Sequence, residues 1–211
     1  MPRTIAFLLF DGAEELDLAG PWEIFTMVEE LQPGAVRCYT ASETGGPVTC
    51  AKGLRVLPDC AFADAPPAGV VIIPGGIGTR RERRNPAFLA ALERLRAGAE
   101  VTASVCTGAL VLDAAGLLDG RRAITHRVGI PILRRNPRIT VVEGARYLDE
   151  GDIVTAAGVS AGIDMALHLV RRFWGAEMAD RVREAAEYYP EPYGPPAQPP
   201  SSDSAARRSS A

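Results

Sequence analysis

The feature that most constrains this chain is a set of short apolar runs, each closed by a turn signal and separated by helix-length amphipathic segments. TIAFLLF (4 to 10) and VVIIP (70 to 74) are such runs, and EVTASV (100 to 105) is a weaker one. Runs without polar alternation suit strands covered on both faces, as in a parallel sheet. LDLAGPWEIFTMVEEL (16 to 31) has helical periodicity, with Pro21 expected in its first turn. NPAFLAALERLRAG (85 to 98) has Pro86 at a first helical position and Gly98 as a stop. This order of strands and helices predicts βαβ units and a doubly wound α/β fold.

Two stretches depart from the alternation. AVRCYTAS is followed by GGPVTCAKGLRVLP (45 to 58), which reads as a strand and then a hairpin. ARYLDEGDIVTAA (145 to 157) reads as a second hairpin with Asp149 to Asp152 at its tip. Two helical patterns follow between Ser160 and Tyr188, joined around Gly175. Beyond Pro190 the chain turns Pro/Ser-rich, so residues 1–190 are expected to form one domain and 191–211 a disordered tail.

With 211 residues, 47% of them hydrophobic, one substantial core is expected. A net charge of −3 gives no excess of cations to neutralise a phosphate backbone, so nucleic acid is not an expected partner. The N-terminal apolar run is six residues long before Asp11, too short for a signal core or a membrane span; a cytoplasmic protein without membrane contact is expected. Cys38, Cys50, Cys60 and Cys106 form no CxxC pair, and His126 and His168 are the only histidines. No metal site is read from these spacings.

Cys106 carries the chemical interest. In SVCTG it sits where a strand pattern gives way to helix formers. A cysteine at such a place is often inert core, yet the carboxyl end of a central strand is where open α/β sheets bind ligands. The following helix start would favour thiolate. The order Cys106, Thr107, Gly108 resembles the second half of a nucleophile elbow, in which Gly108 permits close packing. Gly75 and Gly76, in PGGIGT, end another strand and could bring N–H donors toward the sulfur, although a glycine pair there often marks a simple turn. Glu14, Glu15 and Asp17 follow the first strand. All three could be helix-start acids, but Asp17, between Leu16 and Leu18, is the one expected to have a raised pKa. His126 lacks a carboxylate placed by sequence to orient it, and His168 reads as a satisfied core or interface histidine.

Together FLLFDGAEELDLAGP, IPGGIGT, SVCTGALVLDAAGLLDGRRAITH, AAGVSAGIDMALHL and EYYPEPY resemble the ThiJ/PfpI superfamily. That resemblance implies a flavodoxin-like three-layer αβα sandwich with a mostly parallel sheet and small β-hairpins, shared with class I glutamine amidotransferases, and a homodimer. LDLAGP, SVCTG and AGID are most similar to the branch containing isocyanide hydratase. His126 is followed here by Arg127 and by Pro131 rather than by that branch's aromatic residue and helix, and AAG (156 to 158) replaces a glycine-rich turn. The resemblance implies a small-molecule substrate, no cofactor, a catalytic set of Cys106, Asp17 and Thr107, and substrate or oxyanion contacts at Gly75, Gly76, Gly108 and His126. Similar segments occur in the sensor domains of AraC-type regulators. With no helix-turn-helix segment expected after the tail, a stand-alone ligand or oxidant sensor is the rival reading, and a thiol amidase or peptidase a weaker one.

Overall fold

The structure, a computed structural model, describes residues 2–190; the expected disordered tail lies outside the described residues. In chain order the elements are β1 (Arg3–Leu8), α1 (Glu15–Leu31), β2 (Val36–Ser42), β3 (Val48–Thr49), β4 (Arg55–Val56), β5 (Cys60–Ala61), β6 (Val70–Ile73), α2 (Thr79–Glu82), α3 (Pro86–Arg96), β7 (Val101–Ser104) and α4 (Ala109–Ala114). These are followed by β8 (Arg122–Ala123), α5 (Ile130–Leu133), β9 (Thr140–Val141), β10 (Tyr147–Asp149), β11 (Ile153–Ala156), α6 (Ala161–Trp174) and α7 (Ala176–Ala185).

The main sheet runs β10-β11-β7-β6-β1-β2-β5. Every pairing in it is parallel except β10 with β11. Taken in chain order, β1, β2, β6, β7 and β11 give the 2-1-3-4-5 order of a flavodoxin-like fold, with the switch point between β1 and β6. The apolar runs bury both faces. Ile5, Phe7 and Leu9 join the layer of α1, α6 and α7, whereas Ala6, Leu8 and Phe10 join that of α3 and α4. Val70 and Ile72 separate from Val71 and Ile73 in the same way. No described helix is long and apolar enough to cross a membrane.

The β3–β4 hairpin is present, and Asn85 caps α3 by accepting from the N–H groups of Ala87 and Phe88. The second expected hairpin is also present as β10–β11, but β11 is in addition the fifth parallel strand, paired with β7. Pro21 lies within α1 rather than in its first turn. The helix starts earlier than expected because Glu14, in extended conformation, ends the loop and its N–H donates to the Gly75 carbonyl at 2.9 Å. The missing Pro21 N–H deprives the Asp17 carbonyl of its usual helical donor. The apolar residues of α1 are largely covered within the chain. Ile24 and Phe25 are buried, and the Trp22 ring packs 5.4 Å from that of Phe7.

Candidate active site

Three loops at the carboxyl ends of β1, β6 and β7 meet at the switch point. From the first comes Asp17, wholly buried, with Oδ2 accepting from the Gly75 N–H at 2.8 Å. The Gly75 peptide is therefore tied to the start of α1 twice, through its carbonyl to Glu14 and through its N–H to Asp17. Asp17 Oδ1 is buried without a hydrogen-bond partner among protein N and O atoms.

Cys106 follows β7 with φ of 55° and 6% exposure. A non-glycine residue in this left-handed region is strained, and the surroundings hold it there. Its N–H donates to the Ala157 carbonyl at 2.8 Å, and its carbonyl accepts from Thr125 Oγ1 at 2.7 Å. Val159, in the β11–α6 loop, also has positive φ. Gly75 separates the acid from the sulfur-bearing residue. A Cβ there would lie 2.5 Å from Thr107 N, 2.7 Å from Cys106 Cβ and 2.8 Å from Asp17 Oδ2, so no larger residue fits. Gly108 packs under the end of β6, where a Cβ would stand 2.3 Å from the Ile73 carbonyl oxygen.

Burial, reinforced by the neighbouring Glu14 charge, raises Asp17 to about 7 against the opposing effects of the Gly75 N–H, a hydrogen bond with the thiol and the Lys52 charge. Burial and the Asp17 charge push Cys106 up to about 11, opposed by the nearby N–H groups of Val159 and Thr107. The sequence argument for a depressed thiol pKa therefore fails. A six-residue α4 preceded by a 3-10 turn offers a weak dipole, and desolvation outweighs it.

Thr107 also departs from expectation. Its hydroxyl accepts from the Gly76 N–H at 3.0 Å, lies 3.1 Å from the Gly76 carbonyl oxygen, and approaches Thr79 Oγ1 at 3.2 Å. It locks the β6 loop while also acting on the Cys106 thiol, which in turn acts on Asp17, and it occupies the Gly76 donor assigned by sequence to developing charge. The N–H groups of Thr107 and Val159 remain beside the sulfur. Glu14 and Glu15 hold the Lys52 side chain and Lys52 N–H, respectively, at the edge of the site.

The half-buried His126 ring lies against Gly158, and its Nδ1 accepts from the Val128 N–H at 3.3 Å. It makes no hydrogen bond to Cys106 or to a carboxylate among the described residues. Burial and the Arg127 charge hold its pKa below the usual histidine value, with Glu14 opposing and Arg80 assisting. His168 stands elsewhere, 2.7 Å from Asp149 Oδ2 and stacked near Tyr147.

Thr125 and Val159 went unnoticed in the sequence. Thr125 is 19 residues from the carbonyl it supports and belongs to no local motif. Thr125→Val keeps the shape but removes the side-chain donor to that buried carbonyl, an expected loss of roughly 0.5–1.5 kcal/mol. Urea unfolding should show a lower midpoint at unchanged slope; an unshifted midpoint would rule out this support.

A strained, buried cysteine facing a buried acid across a glycine pair, at the switch point of a flavodoxin-like sheet, defines the class: an α/β sandwich with a cysteine-centred site. The chain belongs to the DJ-1/PfpI family, which residues 3–172 match. It is 35% identical over 192 residues to an isonitrile hydratase of Pseudomonas putida, covering 91% of this chain and 81% of that one. It is 33% identical over 191 residues to the HTH-type transcriptional regulator GbdR of Pseudomonas aeruginosa. That match covers 89% of this chain and 51% of the regulator, so the chain spans about half of its length. Among solved structures, a ThiJ/PfpI family protein from Pseudomonas syringae superposes with a TM-score of 0.83 at 31% identity, over 92% of this chain and 78% of that one.

Proposed function

We propose that the protein is a cysteine-dependent isocyanide hydratase, a lyase-type enzyme converting R–N≡C and water to an N-substituted formamide. The observation that supports this most directly is the pairing of Cys106, held as thiol, with an Asp17 whose pKa near 7 leaves it a proton donor at neutral pH. The similarity to an isonitrile hydratase over most of both chains points the same way.

The isocyanide carbon is basic before it is electrophilic. Neutral Asp17 protonates it, the Cys106 sulfur bonds to the resulting nitrilium carbon, and the thiol proton passes to the Asp17 carboxylate. The product is the thioimidate Cys106–S–CH=N–R, with Asp17 again neutral. Asp17 then protonates the imidate nitrogen and, as carboxylate, takes a proton from the attacking water. Collapse breaks the C–S bond, returns a proton to sulfur and releases R–NH–CHO. No cofactor enters this scheme. The Thr107 and Val159 N–H groups steady charge at sulfur as it leaves. Thr107, Gly76 and Gly108 act by holding the elbow against the β6 loop, and His126 contributes as a cleft wall.

The test is formamide production from an aryl isocyanide, followed by loss of isocyanide absorbance. Acid quenching should trap a Cys106 peptide heavier by the mass of one substrate molecule. Failure of both turnover and adduct would overturn the proposal.

The similarity to GbdR supports ligand sensing as a second reading. Saturable isocyanide binding without turnover would favour it. The oxidant-sensing form is weakened by a raised thiol pKa, and the amidase reading by the absence of a Cys106–His126 hydrogen bond among the described residues. A homodimer accords with the exposed Leu54 and Leu57 beside the β3–β4 hairpin.

A further inference from the structure

A cleft of about 490 Å³ opens between the 124–130 segment, the 142–146 loop and the β11–α6 loop, and Cys106 lies behind its lining residues Thr125 and Ala157. The neighbouring elements hold the elbow directly, since Thr125 bonds the Cys106 carbonyl and Ala157 accepts its N–H. One side of the cleft is apolar, with Leu16, Ile130 and Val142. Its charged side chains differ in how they are satisfied. Arg146 is held by Asp164 and Ser160, and Glu143, the one carboxylate in the lining, is held by Arg134. Arg127 makes no ion pair or side-chain hydrogen bond among the described residues.

Arg80 lies outside the cleft lining. Its Nη1 donates to the Gly76 carbonyl at 3.1 Å and to Thr79 Oγ1 at 3.3 Å, and it has no carboxylate partner among the described residues. It lies near enough to His126 for its charge to oppose protonation of the ring, as does that of Arg127. The cleft thus combines an apolar wall with the unpaired Arg127 guanidinium, while beside His126 the Glu14 carboxylate offsets Arg80. A free guanidinium fork matches a carboxylate geometrically, and Arg127 is exposed at the cleft and open to a ligand.

We propose that this cleft selects a substrate bearing a carboxylate on a short apolar spacer, with Arg127 as the anchor. As a statement of substrate class this rests on the hydratase reading and specifies a carboxylate-bearing isocyanide. The anion preference itself belongs to the cleft and acts on any reagent that approaches the thiol through it.

The two claims can be tested separately. N-iodoacetyl-β-alanine and its neutral amide have the same length and alkylate the same sulfur. The rate ratio, charged over neutral, is measured at the Cys106 peptide by mass spectrometry for wild type, Arg127→Gln and Arg127→Lys. The expected result is a fall of about fivefold in Arg127→Gln, recovery in Arg127→Lys, and loss of the difference at high salt. An unchanged ratio in Arg127→Gln would overturn the proposal. Parallel assays with a carboxylate-bearing isocyanide and its methyl ester should place the preference in KM. If neither isocyanide is hydrated while the ratio still falls, the hydratase reading fails and the anion site stands; hydration of both with equal KM, together with an unchanged ratio, overturns the anion site alone.

Discussion

Cys106→Ala lowers isocyanide turnover by at least about 10⁴-fold while the protein remains folded. The size follows from the covalent role: without sulfur no thioimidate forms, and the groups that remain can only bind and position. The neighbouring Thr107 hydroxyl is engaged with Gly76 and does not substitute. Retention of the fold follows from the backbone. The left-handed conformation is imposed by the bonds to Ala157 and Thr125, and alanine has the same Cβ as cysteine. The urea midpoint should therefore move by no more than about 1 kcal/mol equivalent. Turnover above a hundredth of wild type in a sample free of wild-type protein would remove the cysteine from the mechanism.

Asp17→Asn has the second largest effect, a loss of roughly 10²–10⁴ in kcat, because one group both delivers and recovers the proton. In wild type, kcat falls as pH rises through about 7 and the acid form is lost. Stability moves in the same direction. An aspartate that ionises near 4 when unfolded and about 7 when folded gives the native state an extra proton between those values. Its contribution is fully present below pH 4 and declines as pH rises to 7, by roughly 4 kcal/mol in all. Asparagine keeps an acceptor for the Gly75 N–H and carries no charge to desolvate. The variant should be nearly inactive, still alkylated by iodoacetamide, and more resistant to urea than wild type at pH 8. Equal stability of the two proteins at pH 8 would mean that Asp17 titrates normally.

Much of the frame was legible because buried parallel strands leave a simple trace. β1, β6 and β7 stand out as apolar runs, and the start of α3 by its helix-compatible Pro86, whereas the Asn85 cap is seen only in the structure. β11 was recognised as a hairpin strand, but its place beside β7 was hidden because pairing partners across the sheet leave no local pattern. Residue positions within the site were easier to read than their physical state. Asp17 between two leucines suggested burial, which the geometry bears out. The state of the thiol is not legible in the sequence because a helix start reveals a dipole, whereas desolvation depends on what packs over the sulfur. The direction of the Thr107 hydroxyl and the support from Thr125 arise from contacts across 31 and 19 residues.

The four cysteines share a condition with consequences for the life of the chain. All are free, and burial is the leading cause that raises each thiol above its ordinary pKa. A newly made chain carries the same sulfurs without that cover, as ordinary solvent-accessible thiols open to oxidation. The completed fold covers Cys50 and Cys106 and leaves Cys38 and Cys60 partly exposed, and the loops around Cys106 meet where β1, β6 and β7 pair. The unfolded chain therefore offers oxidants more accessible thiol than the folded one does, chiefly at Cys50 and Cys106.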